Sequence, residues 1–348
     1  MTEGGRGVVN PLPGVIGMEH NPHMGSDAGF SWRPITAEQT PAWAALLAAI
    51  EAVDRENEHV GEQELLEDFS DPYCDFERGS VAVYDGPVMV GYGHLTARTA
   101  ADPVHEMWQR GGVHPDYRGR GLGGQLLDWA QQAAVPLHRE RYPGRPLALS
   151  GSCLSRNAGA VALYAAHGYR QSRWFCGMTR DLSVALPDAA VPAGVQIVGF
   201  TAERSQDARL VRNDAFRDHW GSTEASAESW AHFTGQQAFR PALSFLAYAQ
   251  GRPLGIVLGQ EYDGDTQATG KRDLYIALVG TRRGERKRGV ASALLVRALT
   301  AARSAGFATA SLGVDADSPT GALGLYERAG FVVQDTWIAQ LKPLVEAV

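Results

Sequence analysis

The chain carries one α/β pattern twice. Arg118 and Arg286 stand 168 residues apart, and Tyr164 and Tyr326 stand 162 apart. Around the arginines, "VHPDYRGRGLGGQLLDWAQ" and "GTRRGERKRGVASALLVRA" run in the same order: an apolar segment, a turn rich in arginine and glycine, then a helix face. Two landmarks recurring at nearly one offset predict two copies of a single α/β unit. A length of 348 residues fits two ordinary domains.

The order of elements supports the duplication. In the first copy, "FSWRPI" opens as a strand and Pro41–Val53 reads as a helix with proline in its first turn. Two strands surround the Asp85-Gly86 turn, and "PVHEMWQRGGV" is a further strand. A helix from Leu122, the strand "PLALSG" and the helix "NAGAVALYAAHG" follow. The second copy repeats this with the strand "VQIVGF", the helix "AERSQDARLVRNDAF" and a hairpin at Gly251-Arg252. It then has the strand "KRDLYIALVGT", the helix "GVASALLVRALTAARSAG", the strand "TASLGVDA" and the helix "TGALGLYERAG". Residues 183–194, with two prolines and no helical face, read as a linker. The expected domains are 30–182 and 195–348, and residues 1–29 read as a disordered tail.

The turn has its own chemistry. Gly119, Gly121 and Gly123 let the backbone take positive φ and approach a ligand closely. The helix that begins at Leu122 offers free N–H groups and a partial positive charge. Arg118 and Arg120 add full charges, and phosphate oxygens are the natural ligand. Gly119, Gly121 and Gly124 also satisfy a literal G-x-G-x-x-G, so a dinucleotide fold is a rival. That motif normally follows the first strand of its unit, and its helix start is seldom flanked by several arginines. The second copy, Arg286-Lys287-Arg288-Gly289-Val290-Ala291, breaks the triple glycine but keeps Arg, Gly and a small residue at the same offsets.

What the copies share is Arg-x-x-Gly-x-Gly/Ala between a strand and a helix. Here the sequence resembles the GNAT acyltransferase family over about residues 30 to 340, in tandem. "GVHPDYRGRGLG" with "NAGAVALYAAHGY", and "VGTRRGERKRGVA" with "SPTGALGLYERAGF", carry the resemblance. The tandem layout is similar to that of mycothiol-synthase-type two-domain acetyltransferases. The resemblance implies an α/β (α+β) fold, with two GNAT domains that are each a mixed, mostly antiparallel sheet flanked by helices. It implies acetyl-CoA as acyl donor, with its pyrophosphate on the two turns. Backbone groups near Val113 and Val279 would pair with the pantetheine arm, and a splay beside that strand would admit the thioester.

Acyl transfer to an amine also needs a proton donor for the leaving thiolate and a base for the ammonium. In the family the donor is often a tyrosine on the last helix, which points to Tyr326 and Tyr164. A tyrosine before a helix-ending glycine also packs well with its hydroxyl at the surface. The base is often a carboxylate on the strand before the turn. Asp273 and Tyr275 lie two apart on one strand face, whereas His105 and Glu106 fall on opposite faces. Asp273 is the preferred base, and Glu106 is the candidate in the first copy. Asn157 resembles a cofactor-side asparagine and also fits an N-cap; the second copy has Ser318 nearby instead. Asn213, Phe216, His219 and Trp220 resemble the "N-x-x-A-F-x-x-H" segment of mycothiol synthases, which makes His219 an acceptor contact alongside Tyr275. The resemblance favours the second copy for chemistry.

Composition narrows the partners. A net charge of −7 argues against nucleic acid. No apolar run is long enough for a membrane span. Three cysteines show neither metal-ligand spacing nor an even disulfide set, which fits a reducing cytoplasm. Between Glu51 and Glu77 stand eleven acidic residues and one basic residue, Arg55. Such a stretch reads as a solvated face, or as a steering surface for a cationic amine. The expected activity is N-acetylation of a small primary amine by a monomer or homodimer. The alternatives are mycothiol synthase itself and a non-catalytic acyl-CoA sensor.

Overall fold

The computed structural model describes residues 29–97, 103–217, 219, 222–318 and 321–346. Apart from Gly29, the tail expected over residues 1–29 lies outside the described residues. The first copy contains β1 (Phe30–Arg33), α1 (Thr40–Asp54), α2 (Glu62–Asp68), β2 (Ser80–Asp85), β3 (Val88–Ala97) and β4 (His105–Val113). It continues with α3 (Leu122–Arg141), β5 (Leu147–Leu154), α4 (Ala158–Ala166) and β6 (Arg170–Asp181). The second contains β7 (Gln196–Gly199), α5 (Ser205–Ala215), α6 (Ala227–Gly235), β8 (Phe245–Ala249), β9 (Arg252–Gln260) and α7 (Asp263–Thr269). It ends with β10 (Asp273–Thr281), α8 (Val290–Ser304), β11 (Thr309–Asp315), α9 (Ala322–Arg328) and β12 (Val332–Val345).

All twelve strands form one sheet, in the order β1-β2-β3-β4-β5-β12-β6-β11-β10-β9-β8-β7. The pairs β4/β5 and β10/β11 are parallel, and the remaining neighbours are antiparallel. Each copy sends its last strand into the sheet of the other. β6 lies along β11, from Asp181 against Thr309 to Phe175 against Asp315. β12 lies along β5, from Val345 against Leu147 to Trp337 against Leu154. The two exchanged strands then pair with each other and join the halves.

The exchange reaches the cores. Met178 and Leu182, from the end of the first copy, are 1% exposed and belong to the cluster built on Leu294, Leu295 and Leu299 of α8. In return, Leu344 and Val345 pack against Leu127, Ala130 and Leu137 of α3. Full burial of one such side chain is worth about 1.5–3 kcal/mol, so each copy draws part of its stability from the other's chain. On the opposite face of the sheet, α1 and α2 cover Ala82, Tyr84 and Tyr92, while α5 and α6 cover Leu246, Ile256 and Leu258.

Candidate active site

Both glycine turns leave β4 or β10 through a single 3-10 turn, Pro115–Tyr117 or Arg283–Glu285. Gly121 (φ 84°) and Gly289 (φ 83°) then set the left-handed entry to α3 and α8. Two residues earlier, Gly119 (φ 76°) and Lys287 (φ 61°) are also left-handed. The backbone path is therefore the same, although a lysine pays about 1–2 kcal/mol in that conformation where glycine pays nothing. Neither helix start is capped by a side chain. The first bonds into the helices run from Gln125 N–H to the Gly121 carbonyl and from Ala293 N–H to the Gly289 carbonyl. The amides of Leu122, Gly123 and Gly124, and of Val290, Ala291 and Ser292, are thus the terminal donors that lack an intrahelical acceptor. Leu122 and Val290 are buried beneath the tips and fix them in place. Two open sets of helix-terminal amides fit a diphosphate.

The arginines divide their work. Arg118 gives two bonds to the Asp54 carboxylate (2.7 and 2.8 Å) and a third to the Val113 carbonyl (3.2 Å). Its counterpart Arg286 donates to the Ala215 carbonyl at 2.8 Å. Both arginines brace the turn against the C-terminal end of the first α-helix of their copy, α1 or α5. Arg120 donates to the Asp116 carbonyl at 3.0 Å and lies 4.7 Å over the Tyr117 ring, and Arg288 pairs with Glu285. Lys287 and Arg288 stay exposed at the tip of the second copy, as Arg120 does in the first.

Beside each tip the sheet parts. Pairing of β4 with β5 ends at Trp108 and Ser150, yet β4 runs on to Val113. Pairing of β10 with β11 ends at Tyr275 and Ser311, yet β10 runs on to Thr281, with a register shift between Ile276 and Leu278. These are the splays expected from the resemblance, and they leave the inner edges of β4 and β10 free to bond an extended ligand. The antiparallel registers identify counterparts. Val113 faces Gly91 and Thr281 faces Gly255, so Val279 answers to Gly111 rather than to Val113. Trp108 faces Thr96 and Tyr275 faces Gln260, which makes Asp273 the counterpart of Glu106.

The second gap holds a carboxylate and two tyrosines. Asp273 accepts hydrogen bonds from Thr309 Oγ1 (2.5 Å) and from Ser311 Oγ. Burial raises its carboxyl above the usual range, and the two hydroxyls pull it back only in part. Tyr275 reaches across towards Gly313 on β11. Tyr326 is 8% exposed, and among the described residues its hydroxyl makes no hydrogen bond. Burial, reinforced by Tyr275, pushes its pKa up, so it stays protonated at neutral pH. In the first gap Tyr164 lies against Gly151, beside Tyr169, whose hydroxyl donates to Gln109 Oε1 at 3.0 Å. Glu106 is half-buried there. His105 on the opposite face is fully buried, with its Nδ1 2.8 Å from His138 Nδ1.

The remaining candidates fall around this frame. Asn157 caps α4, its Oδ1 accepting from Ala160 N–H at 3.1 Å. Asn213 clasps both backbone groups of Ala225 (2.8 and 3.1 Å). His219 packs 5.6 Å from the Phe216 ring beyond the end of α5, and Trp220 lies outside the described residues.

Sequence reading missed the wall between the two gaps. α2 and α7 were not anticipated, because each is only seven residues long and lacks a sustained apolar face. Glu64 on α2 feels Asp263 and Asp265 of α7, and Tyr262 of the second copy feels Glu58 and Glu64 of the first. Burial and neighbouring carboxylates raise Glu56 and Glu64 to about 7, and burial raises Asp68 to about 6. Arg110, on the lip of the first gap, feels Glu58, Asp68 and Tyr262 at once. A separate cavity of about 420 Å³, lined by Gln196, Val198, Arg204 and Tyr248, sits at the β7 edge and shares no residue with either gap.

A sheet parted twice beside a parallel strand pair, each time next to an uncapped glycine-led helix tip, defines a tandem acyl-CoA-dependent acyltransferase. Comparison with known proteins makes this specific. Residues 209–331 match the acetyltransferase (GNAT) family profile, and residues 77–171 match an acetyltransferase (GNAT) domain profile. The chain is 32% identical to a mycothiol acetyltransferase of Thermobispora bispora, over 72% of this chain and 78% of that one. It is 30% identical to a mycothiol acetyltransferase of Acidothermus cellulolyticus, over 71% and 74% of the two chains. Among solved structures, a GCN5-related N-acetyltransferase from Sphaerobacter thermophilus superimposes with a TM-score of 0.76 at 26% identity, covering 92% of this chain and 98% of that one. A tandem GNAT protein from the clavulanic acid biosynthesis pathway shares the fold, with a TM-score of 0.70 at 17% identity over 92% and 100% of the chains. The protein belongs to the GNAT acetyltransferase family and carries two of its domains in tandem. GNAT acetyltransferases take their acyl group from acetyl-CoA, and the acceptor is a small molecule. Among the described residues no helix is long and apolar enough to cross a membrane.

Proposed function

We propose that the protein N-acetylates a small primary amine and that the chemistry takes place in the gap of the second copy. The observation that carries this reading is Tyr326: buried, protonated and without a hydrogen-bond partner among the described residues, next to the parted strands β10 and β11. Acetyl-CoA supplies the activated acyl carbon, with its diphosphate on the amides of Val290, Ala291 and Ser292. Lys287 and Arg288 add charge at that tip. Asp273, its carboxyl raised by burial, takes the proton released by the attacking ammonium, directly or through water. Tyr326 returns a proton to the thiolate as the C–S bond breaks, a role worth roughly 10²–10⁴ in rate. Tyr275 lines the acceptor side. The first copy keeps an equally open tip at Gly119, Arg120, Gly121 and Gly123, and it binds a second equivalent of acetyl-CoA.

The relatives' name supports a second reading within this class, acetylation of the amine of a mycothiol precursor. The test is calorimetric titration with acetyl-CoA, followed by coenzyme A release assays over a panel of amines. Two equivalents bound and amine-dependent release are expected. Release without any amine dependence overturns the assignment of an amine acceptor, and absence of binding overturns the whole reading.

A further inference from the structure

The two tyrosine helices end in the same way. In α4, the Tyr169 N–H bonds the Tyr164 carbonyl (3.0 Å) and the Gly168 N–H bonds the Ala165 carbonyl (3.1 Å). In α9, the Phe331 N–H bonds the Tyr326 carbonyl (3.0 Å) and the Gly330 N–H bonds the Glu327 carbonyl (2.9 Å). Gly168 (φ 79°) and Gly330 (φ 87°) supply the left-handed residue that this closure requires. It leaves out the carbonyls of the cap residues, His167 and Ala329. Each of those is taken by a cation from the other copy. Lys342 Nζ, on β12, donates to the His167 carbonyl at 2.7 Å. Arg180 Nη1, on β6, donates to the Ala329 carbonyl. Arg180 and Lys342 stand 162 residues apart, as do His167 and Ala329, and as do the two tyrosines. One contact is thus made twice, each time across the exchange of strands.

The two versions are unequal. Lys342 is half-buried and divides its ammonium between His167 and Gln131 Oε1 (2.5 Å), and α4 has its own cap in Asn157. Arg180 is 4% exposed, and its Nη2 also donates to the carbonyls of Val184 (3.4 Å) and Ala185 (2.7 Å) at the start of the linker. A planar fork bonded to carbonyls of two segments fixes a position better than a flexible ammonium does. The guanidinium passes so close over Gly330 that a Cβ there would collide with it. α9 needs such a hold, because it has only seven residues and no side-chain cap at its start. Tyr326, Ala329 and Phe331 pack into the apolar core of the second copy, but apolar packing is non-directional. A cation at the end of the helix also suits its dipole. We propose that Arg180 of the first copy is a positioning residue for Tyr326. Its bond to Ala329, one turn further along α9, sets where the Tyr326 hydroxyl sits beside the parted strands β10 and β11. This rests on the reading of Tyr326 as the acid and deepens it: the proton donor of one copy is aimed by a strand of the other.

The experiment measures coenzyme A release from acetyl-CoA with three probe amines, glucosamine, putrescine and glycinamide. Arg180→Met keeps the bulk and removes the fork. It is expected to lower kcat about tenfold, as a small misplacement of a reacting group does, with the amine KM and the acetyl-CoA Kd changed less than about twofold. Arg180→Lys, which copies the Lys342 arrangement, recovers part of the loss. In a Tyr326→Phe background, Arg180→Met lowers kcat by less than about twofold, because the group it positions is gone; a general loss of structure would lower it about tenfold again. Lys342→Met, the same contact on the other tyrosine helix, lowers kcat by less than about threefold. Hydrogen exchange followed by mass spectrometry tests the hold itself: in Arg180→Met the amides of 326–331 exchange roughly tenfold faster while those of α8 keep their rate. The inference is overturned if Arg180→Met leaves kcat or the exchange of 326–331 unchanged, if its effect persists in full in the Tyr326→Phe background, or if Lys342→Met lowers kcat as much. Should Arg180→Met fail to fold, Arg180→Lys goes through the same cycle, with a loss of about twofold to fivefold expected in kcat and none beside Tyr326→Phe. The two levels separate. No release with any of the amines, or a flat response to Tyr326→Phe, sinks the reading of the second gap and this inference with it. A large effect of Tyr326→Phe with a flat response to Arg180→Met sinks the role of Arg180 alone.

Discussion

The two copies have the same backbone at the helix tip and different surroundings at the gap. Both tips use two left-handed residues and leave the first amides uncapped, although one turn is Arg-Gly-Arg-Gly and the other Arg-Lys-Arg-Gly. The gaps diverge. Tyr164 has polar company, the Gln109–Tyr169 hydrogen bond beside it. Tyr326 lies in an apolar cluster, with Phe331 edge-on at 6.0 Å and Tyr275 acting on its hydroxyl. The carboxylate differs too, with Asp273 fixed by two hydroxyls where the first copy has Glu106. Anion binding needs only backbone amides, so a duplicated turn keeps it under substitution. Proton transfer needs particular side chains in particular surroundings, and it is lost or gained one residue at a time.

The sharpest way to break the comparison is to separate the copies. Because β6 completes the second copy and β12 the first, fragments 1–182 and 195–348 expressed alone are expected to lack cooperative thermal unfolding by circular dichroism. Mixing the fragments should restore it, and an independently folding fragment would count against the exchange. Next is the acid. Tyr326→Phe should lower kcat by roughly 10²–10⁴, and Tyr164→Phe by less than about threefold, measured as coenzyme A release under saturating donor. Equal effects would erase the distinction drawn between the gaps. The tips come third. A β-branched residue cannot hold φ near 83°, so Gly289→Val and Gly121→Val should each weaken one of two acetyl-CoA binding events about tenfold in calorimetry. Loss of both events from one substitution would mean that the sites are coupled.

The smallest effect concerns pH. Glu56 and Glu64, both in the first copy, are raised from the ordinary 4.5 to about 7. The folded protein therefore holds protons that the unfolded chain releases. The stability this contributes is complete below about pH 4.5 and is lost as pH rises through 7. Both carboxylates are partly open to water, so the effect is discounted: replacing both by glutamine should raise Tm by about 2 °C at pH 8 and leave it unchanged at pH 4. Melting curves at the two pH values check this.

Much of this was legible in the residues. The duplication, the glycine turn and the tyrosine before each helix-ending glycine are local signals, because a turn and a helix start are decided by neighbours in sequence. Asp273 and Tyr275 were placed on one face of a strand by alternation alone. The bonds from His59 to Asp265 gave no such signal, since His59 lies in an acidic run of the kind that normally covers a solvated surface. β6 and β12 were not anticipated either. Their alternation is broken by register shifts, and nothing in "RQSRWFCGMTRD" tells it to leave its own copy.

By itself, then, the sequence determined two α/β units, two amide-lined helix tips and the side chains able to carry a proton. These depend on φ preferences, periodicity and spacing, which act over a few residues. The tertiary structure alone decided which copy each final strand completes, that the Tyr326 hydroxyl has no hydrogen bond among the described residues, and that the 55–61 loop of the first copy is tied to Asp265 and Asp335 of the second. Those outcomes come from burial and hydrogen bonding between segments more than two hundred residues apart, such as Asn57 and Asp335.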